Sequence, residues 1–466
     1  MLAELDCRGE HKHRRGEHCE PVEHIMKSKA KNLISNNIMA IGILLRFIAY
    51  IFATPSVNQH DVLLRYGHFD YAVYLFKYGK LPPMAGYEFA QPPINAFLQS
   101  LLMRFLSLFK DYGENYLELY SHTKILSFIY SVLTLIIIYK IIKEFDISNR
   151  IKNFILAIMA FYPGIIIMTT QYSNDNISYM FFYLSLYFGI RWCKNKDLKT
   201  IVLLALSIGI GMLTKISVGL IAFILGPMML IIWIRSLKRA SKNVGANSNI
   251  VGVKLASPSI TKQLIIFALI VFPIGLSYSI RNLVRFDIPL GAISEIAIDS
   301  PLDLRNYAWT FTDRFLSFPL NRVVEANNGI YHDFIEYNAW IDMIKTATFD
   351  EFNFSATAFH TLCTILYFAN IAFFLIGIIT IILNIRDLIV EVSKNVGVNL
   401  NIVGAKLASP NFNLKIIGLL LFFLAIFAYV SFNIKYPYSC NTNYRYVAYI
   451  TFALAINIGL KCCKST

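Results

Sequence analysis

The apolar residues of this chain arrive in long uninterrupted runs, and no other feature narrows its fold as far. Ten runs, at about 33–53, 121–142, 153–171, 177–192, 200–214, 216–234, 263–280, 360–385, 414–434 and 444–460, are suited to carry a helix across the hydrocarbon core of a bilayer. An eleventh, 94–109, is shorter and is interrupted by Arg104. Only 15% of the 466 residues are charged, against about 25% in a soluble globular protein, which excludes an ordinary soluble enzyme. The predicted fold is an all-α, polytopic membrane helix bundle, so the chain is expected to be an integral, multi-pass protein.

The 43 Lys and Arg against 29 Asp and Glu leave a net charge of +14. Such an excess can mark nucleic-acid binding, but in a membrane protein it reads first as topology, because cationic loops stay on the cytoplasmic side. Lys140, Lys143, Arg150 and Lys152 fall in one short loop, and Arg191, Lys194, Lys196 and Lys199 in another. Two further loops carry Arg235 to Lys262 and Arg386 to Lys415. All of these loops share the inner face if 94–109 lies in the interface or dips back rather than crossing. The expectation is about ten crossings, or eleven if that run spans, and no nucleic-acid partner.

This arrangement divides the chain into a polar tail (1–32), an N-terminal transmembrane module (33–280) with a first outer loop at 54–120, a large outer loop (281–358) and C-terminal transmembrane helices (359–466). The outer face receives residues 54–120, the turns at Ser173–Asp175 and Thr214–Lys215, the loop 281–358 and the turn Lys435–Tyr444. Seven scattered cysteines imply no disulfide framework. The tail's His11, His13, His18 and His24, with Cys7 and Cys19, lack the spacing of metal ligands and read as a polar tail.

Residues 241–258 (SKNVGANSNIVGVKLASP) recur at 393–410 (SKNVGVNLNIVGAKLASP) with 15 of 18 positions identical. The flanking helices show no matching similarity, so the copies read as inserted elements in cytoplasmic loops, where added length costs little.

The chemistry gathers on the outer face. After the first apolar run come Asn58-Gln59-His60-Asp61 and then Tyr87-Glu88-Phe89-Ala90-Gln91-Pro92-Pro93. An acidic residue at the outer end of the first helix, followed by E-x-x-Q-P-P leading into an apolar segment, resembles the polyprenyl-phosphate-sugar-dependent glycosyltransferases of the GT-C superfamily, of the protein O-mannosyltransferase and aminoarabinose transferase type. Tyr172-Ser173-Asn174-Asp175, Gly211-Met212-Leu213-Thr214-Lys215, the stretch Arg281 to Gly291, Trp340 to Phe352 and Asn443-Tyr444-Arg445-Tyr446 are similar in the same order. Where many relatives carry an acidic pair after the first helix, this chain has His60-Asp61, with a single carboxylate.

The resemblance implies a GT-C-type bundle with outer-face interfacial helices. It also implies transfer of a sugar from a polyprenyl- or dolichyl-phosphate donor to a lipid, glycan or protein acceptor, with inversion. Asp61 corresponds to the family's catalytic acidic residue and would act as general base, with Asp70 a second candidate. Glu88 would orient sugar or acceptor, His60, Gln91 and Pro92 would shape the substrate site, and Lys215, Arg281 and Arg445 would hold the phosphate. No cofactor is required by the sequence, and the resemblance leaves room for a divalent cation. Membrane lipids are the expected surroundings, in a bacterial inner or plasma membrane, or in the endoplasmic reticulum of a eukaryote. The competing reading is a transporter or lipid flippase, which would place ionisable residues near the midplane of its helices, whereas here they concentrate on one face.

Overall fold

A computed structural model describes residues 22–53, 67–83, 86–113, 116–246, 260–291, 303–319, 337–349, 357–396, 410–439 and 447–463. The chain runs through α1 (Val22–Phe52), α2 (His68–Tyr78), α3 (Ile94–Leu106), α4 (Tyr116–Thr123), α5 (Ile125–Lys143), α6 (Asn149–Phe161), α7 (Pro163–Ile167), α8 (Asn174–Asn195) and α9 (Leu198–Met212). It continues through α10 (Ala222–Ala246), α11 (Ile260–Phe286), α12 (Ala339–Phe349), α13 (Thr357–Val396), α14 (Pro410–Lys435) and α15 (Val447–Cys462). Among the described residues the only β pairing is an isolated antiparallel bridge between Asp303 and Tyr438.

The helical bundle is as the sequence led one to expect, but its spans differ in kind. Six segments are each long and apolar enough to cross a membrane: Leu33–Phe52, Glu118–Lys143, Ile216–Lys238, Ile260–Phe286, Thr364–Glu391 and Leu414–Lys435. A seventh forms if α6 and Pro163–Thr170, which meet at a 54° bend, are taken as one. Ten to eleven crossings were expected, and the difference lies in helices shielded by their neighbours. α8 is long enough but carries buried Asn174, Asn176, Ser178 and Ser185, and Asn176 donates to the Ser127 and Met168 carbonyls at 2.7 and 3.0 Å. In α15 every residue from Ala448 to Leu460 is buried, but its 16 residues rise only about 24 Å, short of a hydrocarbon core of about 30 Å. A helix enclosed by others need not match lipid in length or polarity. α3, with 13 residues, rises about 20 Å and is too short to cross alone.

The run 153–171, expected as one helix, is broken at Tyr162-Pro163 for a physical reason. Pro163 has no N–H to offer the Met159 carbonyl, so the helical ladder fails there. Arg46 of α1, 1% exposed, supplies the missing donors. Its guanidinium donates to the carbonyls of Met159 at 3.1 Å, Ala160 at 2.8 Å and Gly42 at 2.9 Å, and to Ser131 Oγ at 3.0 Å. A charge inside a span is thereby spent on backbone repair.

The described residues of 67–113, expected at the outer face, fold as α2 and α3 and share a small aromatic core with α4 and Tyr172. Phe69, Tyr120 and Tyr172 pack edge to face or tilted, with centroids 4.9 to 5.4 Å apart. Described parts of 281–358 pack against the helices around them. Leu304 N donates to the Pro437 carbonyl at 2.8 Å, Tyr429 Oη to Ala339 at 2.7 Å and Trp340 Nε1 to Phe315 at 2.8 Å. α12 lies so close to α7 that a Cβ on Gly164 would stand 2.5 Å from the Ala347 carbonyl oxygen. The first sequence repeat begins as the end of α10 and the second as the end of α13, and the second copy's Pro410 opens α14. Residues 247–259 and 397–409, like the tail 1–21, lie outside the described residues.

Candidate functional site

The E-x-x-Q-P-P stretch forms a single 3-10 turn, Tyr87–Ala90, followed by Pro92 and Pro93, with Pro93 at the N-cap of α3. Proline removes two donors and fixes the backbone just where the chain must turn into the helix. The turn is gripped from both sides. From α11, Tyr278 Oη donates to the Phe89 carbonyl at 2.8 Å, Asn282 Nδ2 to Ala90 at 2.8 Å and Arg281 Nη2 to Pro82 at 2.7 Å. From α2, Tyr71 Oη lies 3.0 Å from Tyr278 Oη. Burial pushes the Tyr71 hydroxyl well above its ordinary pKa, so it keeps its proton and can donate to Tyr278.

Glu88 is buried, and one carboxylate oxygen stands 3.1 Å from His68 Nδ1 at the start of α2, an ion pair when the imidazole is protonated. Gln91 Oε1 accepts from Asn174 Nδ2 at 2.9 Å, and Asn95 Nδ2 donates to the Ser173 carbonyl at 3.1 Å. The beginning of α8, capped by Ser173, is thus tied to the turn. Lys215, just after α9, pairs with Asp175 in the first turn of α8, and both side chains are more than four-fifths buried.

These elements enclose a cavity of about 690 Å³. Glu88, Gln91, Pro92, Asp175, Lys215, Asn282 and Lys435 line its polar part. Leu220, Phe223, Leu276, Leu424 and Phe427 form an apolar wall from three of the membrane-spanning segments. The cavity has the size of a small-molecule site and is amphiphilic: one region offers charge and hydrogen bonds, the other hydrocarbon.

Of the residues singled out in the sequence, Glu88, Gln91, Pro92 and Lys215 therefore come together. Arg281 is not in the lining; its guanidinium lies 5.2 Å from the Tyr278 and Phe286 ring centroids and binds Pro82 and Asn282, so it holds the loop from behind. His60, Asp61 and Arg445 lie outside the described residues. Asp70 sits in the first turn of α2. Sequence reasoning missed the parts played by Asp175, Tyr278, Asn282 and Lys435. For Lys435 a signal was present: it is a cation at the end of an apolar run expected to reach the outer face, whereas most of the lysines that flank the other runs were assigned to the inner face. Among the described residues no group of three or more His, Cys, Asp or Glu side chains is placed to hold a metal ion.

Residues 90–260 match the family model of dolichyl-phosphate-mannose-protein mannosyltransferases. That segment includes Gln91, Pro92, Asp175 and Lys215, while Tyr278, Asn282 and Lys435 fall beyond it. No curated protein matches the chain. Among solved structures, ArnT from Cupriavidus metallidurans in the apo state is 13% identical, with 91% of this chain and 76% of that chain covered and a TM-score of 0.39. The same protein bound to undecaprenyl phosphate is also 13% identical over the same shares, with a TM-score of 0.37. The family match supports the resemblance over 90–260, the stretch that holds Gln91-Pro92-Pro93, Tyr172–Asp175 and Gly211–Lys215.

Proposed function

We propose that this chain, a multi-pass membrane protein and a member of the GT-C superfamily, moves a sugar from a polyprenyl-phosphate donor to an acceptor at the cavity beside Glu88. The observation that carries this reading is the amphiphilic character of the cavity. A polyprenyl-phosphate sugar joins a long hydrocarbon chain to an anionic phosphate and a polyhydroxylated ring. The wall of Phe223, Leu276 and Phe427 suits the first, Lys215 the second, and Glu88 with Gln91 the third.

In the reaction, a base removes the proton from an acceptor hydroxyl or amine as its heteroatom attacks the anomeric carbon. The new bond forms on the face opposite the phosphate, and the bond from the anomeric carbon to the phosphate oxygen breaks with its electron pair leaving on that oxygen. A single displacement inverts the configuration. Asp61 is the proposed base, a role worth about 10²–10⁴-fold in rate. Lys215 would stabilise charge developing on the leaving phosphate, and Asp175 orients its ammonium. Arg445 is retained as a second cation for that phosphate on the strength of the resemblance. Arg281 serves the site indirectly, by fixing the turn that carries Glu88.

The test is Asp61→Asn in purified protein supplied with a labelled polyprenyl-phosphate sugar and a membrane extract as the acceptor source. The variant should insert and fold as the parent does but lose transfer. Undiminished transfer would remove Asp61 from the mechanism.

A further inference from the structure

Four charged side chains line the cavity: Glu88, Asp175, Lys215 and Lys435. Glu88 faces His68, and Asp175 and Lys215 face each other. Lys435, the last residue of α14, stands apart. Its ammonium lies 5.2 Å from the centroid of the Tyr436 ring, and among the described residues no carboxylate comes within ion-pairing distance of it.

A lysine at the end of a span ordinarily snorkels to headgroups on a mobile stem. Here the backbone around it is held. Arg314 Nη2 donates to the Asn433 carbonyl at 3.0 Å, two residues before Lys435. Two and three residues after it, the Pro437 carbonyl accepts from Leu304 N at 2.8 Å, and Tyr438 pairs with Asp303 in the lone β bridge. Asp303 in turn binds the Arg305 guanidinium. The loop after α11 thus fixes the rim of the cavity on which Lys435 sits, and a cation on a fixed backbone loses less freedom when it takes a ligand.

The helix that ends in Lys435 is itself graded. Leu424, Ala428, Ser431 and Lys435 all line the cavity, and their spacing of four, three and four residues puts them on one face. Along about 16 Å of helix that face passes from hydrocarbon through a hydroxyl to a cation. This order fits an amphiphile with an apolar tail and an anionic head.

We propose that Lys435 receives the phosphate of the lipid-linked substrate, with the tail lying along the Leu424 and Ala428 face of α14. The proposal rests on the donor reading given above and adds to it a residue outside the segment that matches the mannosyltransferase family.

Binding of undecaprenyl phosphate to the full-length protein in detergent tests it, with undecaprenol and inorganic phosphate as the second and third probes. Lys435→Gln should weaken undecaprenyl phosphate binding about tenfold or more, Lys435→Arg should largely restore it, and undecaprenol should bind the parent and both variants alike. A general loss of structure would instead weaken both lipids together. Equal affinity of parent and Lys435→Gln for undecaprenyl phosphate would overturn the role of Lys435. A parent that ignores undecaprenyl phosphate but holds inorganic phosphate through Lys435 would leave a phosphate site and overturn the lipid donor. A parent that binds neither would overturn both.

Discussion

At the scale of single residues, the protein places its polar side chains where the backbone lacks partners. Arg46 is the strongest case, since its guanidinium makes four donor contacts, two of them to the Met159 and Ala160 carbonyls of the helix that Pro163 interrupts. Hydrogen bonds to a charged group contribute about 1.5–3 kcal/mol, so Arg46→Met should cost about 3 kcal/mol or more by exposing carbonyls in an apolar interior. Arg46→Lys should recover little, because one ammonium cannot reproduce the planar fork. Thermal unfolding in detergent checks both, and a parent-like melting temperature for Arg46→Met would sink the account of the bend. At Asn282, truncation to alanine removes the donor to the Ala90 carbonyl and should lower transfer about tenfold without loss of expression. Asp303 offers a pH test. Its hydrogen bonds to Arg305, with Coulombic attraction adding to them, hold its pKa below the ordinary carboxylate value. The stabilisation is therefore complete above about pH 4 and is lost as pH falls through the lowered value. Asp303→Asn should melt below the parent at pH 7, and the gap should close on acidification below pH 4; a gap unchanged by pH would contradict that pairing.

Elements show what sequence patterns can and cannot reveal. The apolar runs located every major helix because lipid tolerates little else over such lengths. They did not reveal that α8 and α15 sit inside the bundle, since burial among helices depends on which surfaces meet in space. Pro163 was visible in the sequence, but the guanidinium that makes its break tolerable comes from residue 46, more than a hundred positions away. The turn at Glu88 was legible through its two prolines, whereas its attachment to Tyr278 and Asn282 was not, because nothing local to α11 specifies that contact. The repeats make an element-scale prediction. Deleting 241–258 should leave transfer largely intact, and loss of transfer with preserved expression would show that this copy is more than an insertion. Close helix approach makes another: Gly164→Val would force a side chain against the Ala347 carbonyl and should separate α7 from α12, lowering the yield of folded protein.

At the scale of the whole molecule, apolar spans among the described residues pack with the buried helices α8 and α15, and a cavity in which charge and hydrocarbon meet lies between them. Its polar wall draws on the turn that leads into α3, on α8, α11 and α14, and on Lys215 after α9, so the site exists only when distant parts of the chain are assembled. If the chain transfers sugar from a lipid phosphate, cells should reveal it in two linked quantities. Mass spectrometry of glycolipids, cell-envelope glycans and glycoproteins, alongside the pool of polyprenyl-phosphate sugars, should be compared between cells carrying the parent chain and cells carrying Asp61→Asn. The expected result is that one glycosylated product disappears in the variant while its polyprenyl-phosphate sugar donor accumulates; identical product and donor profiles would contradict the proposed function.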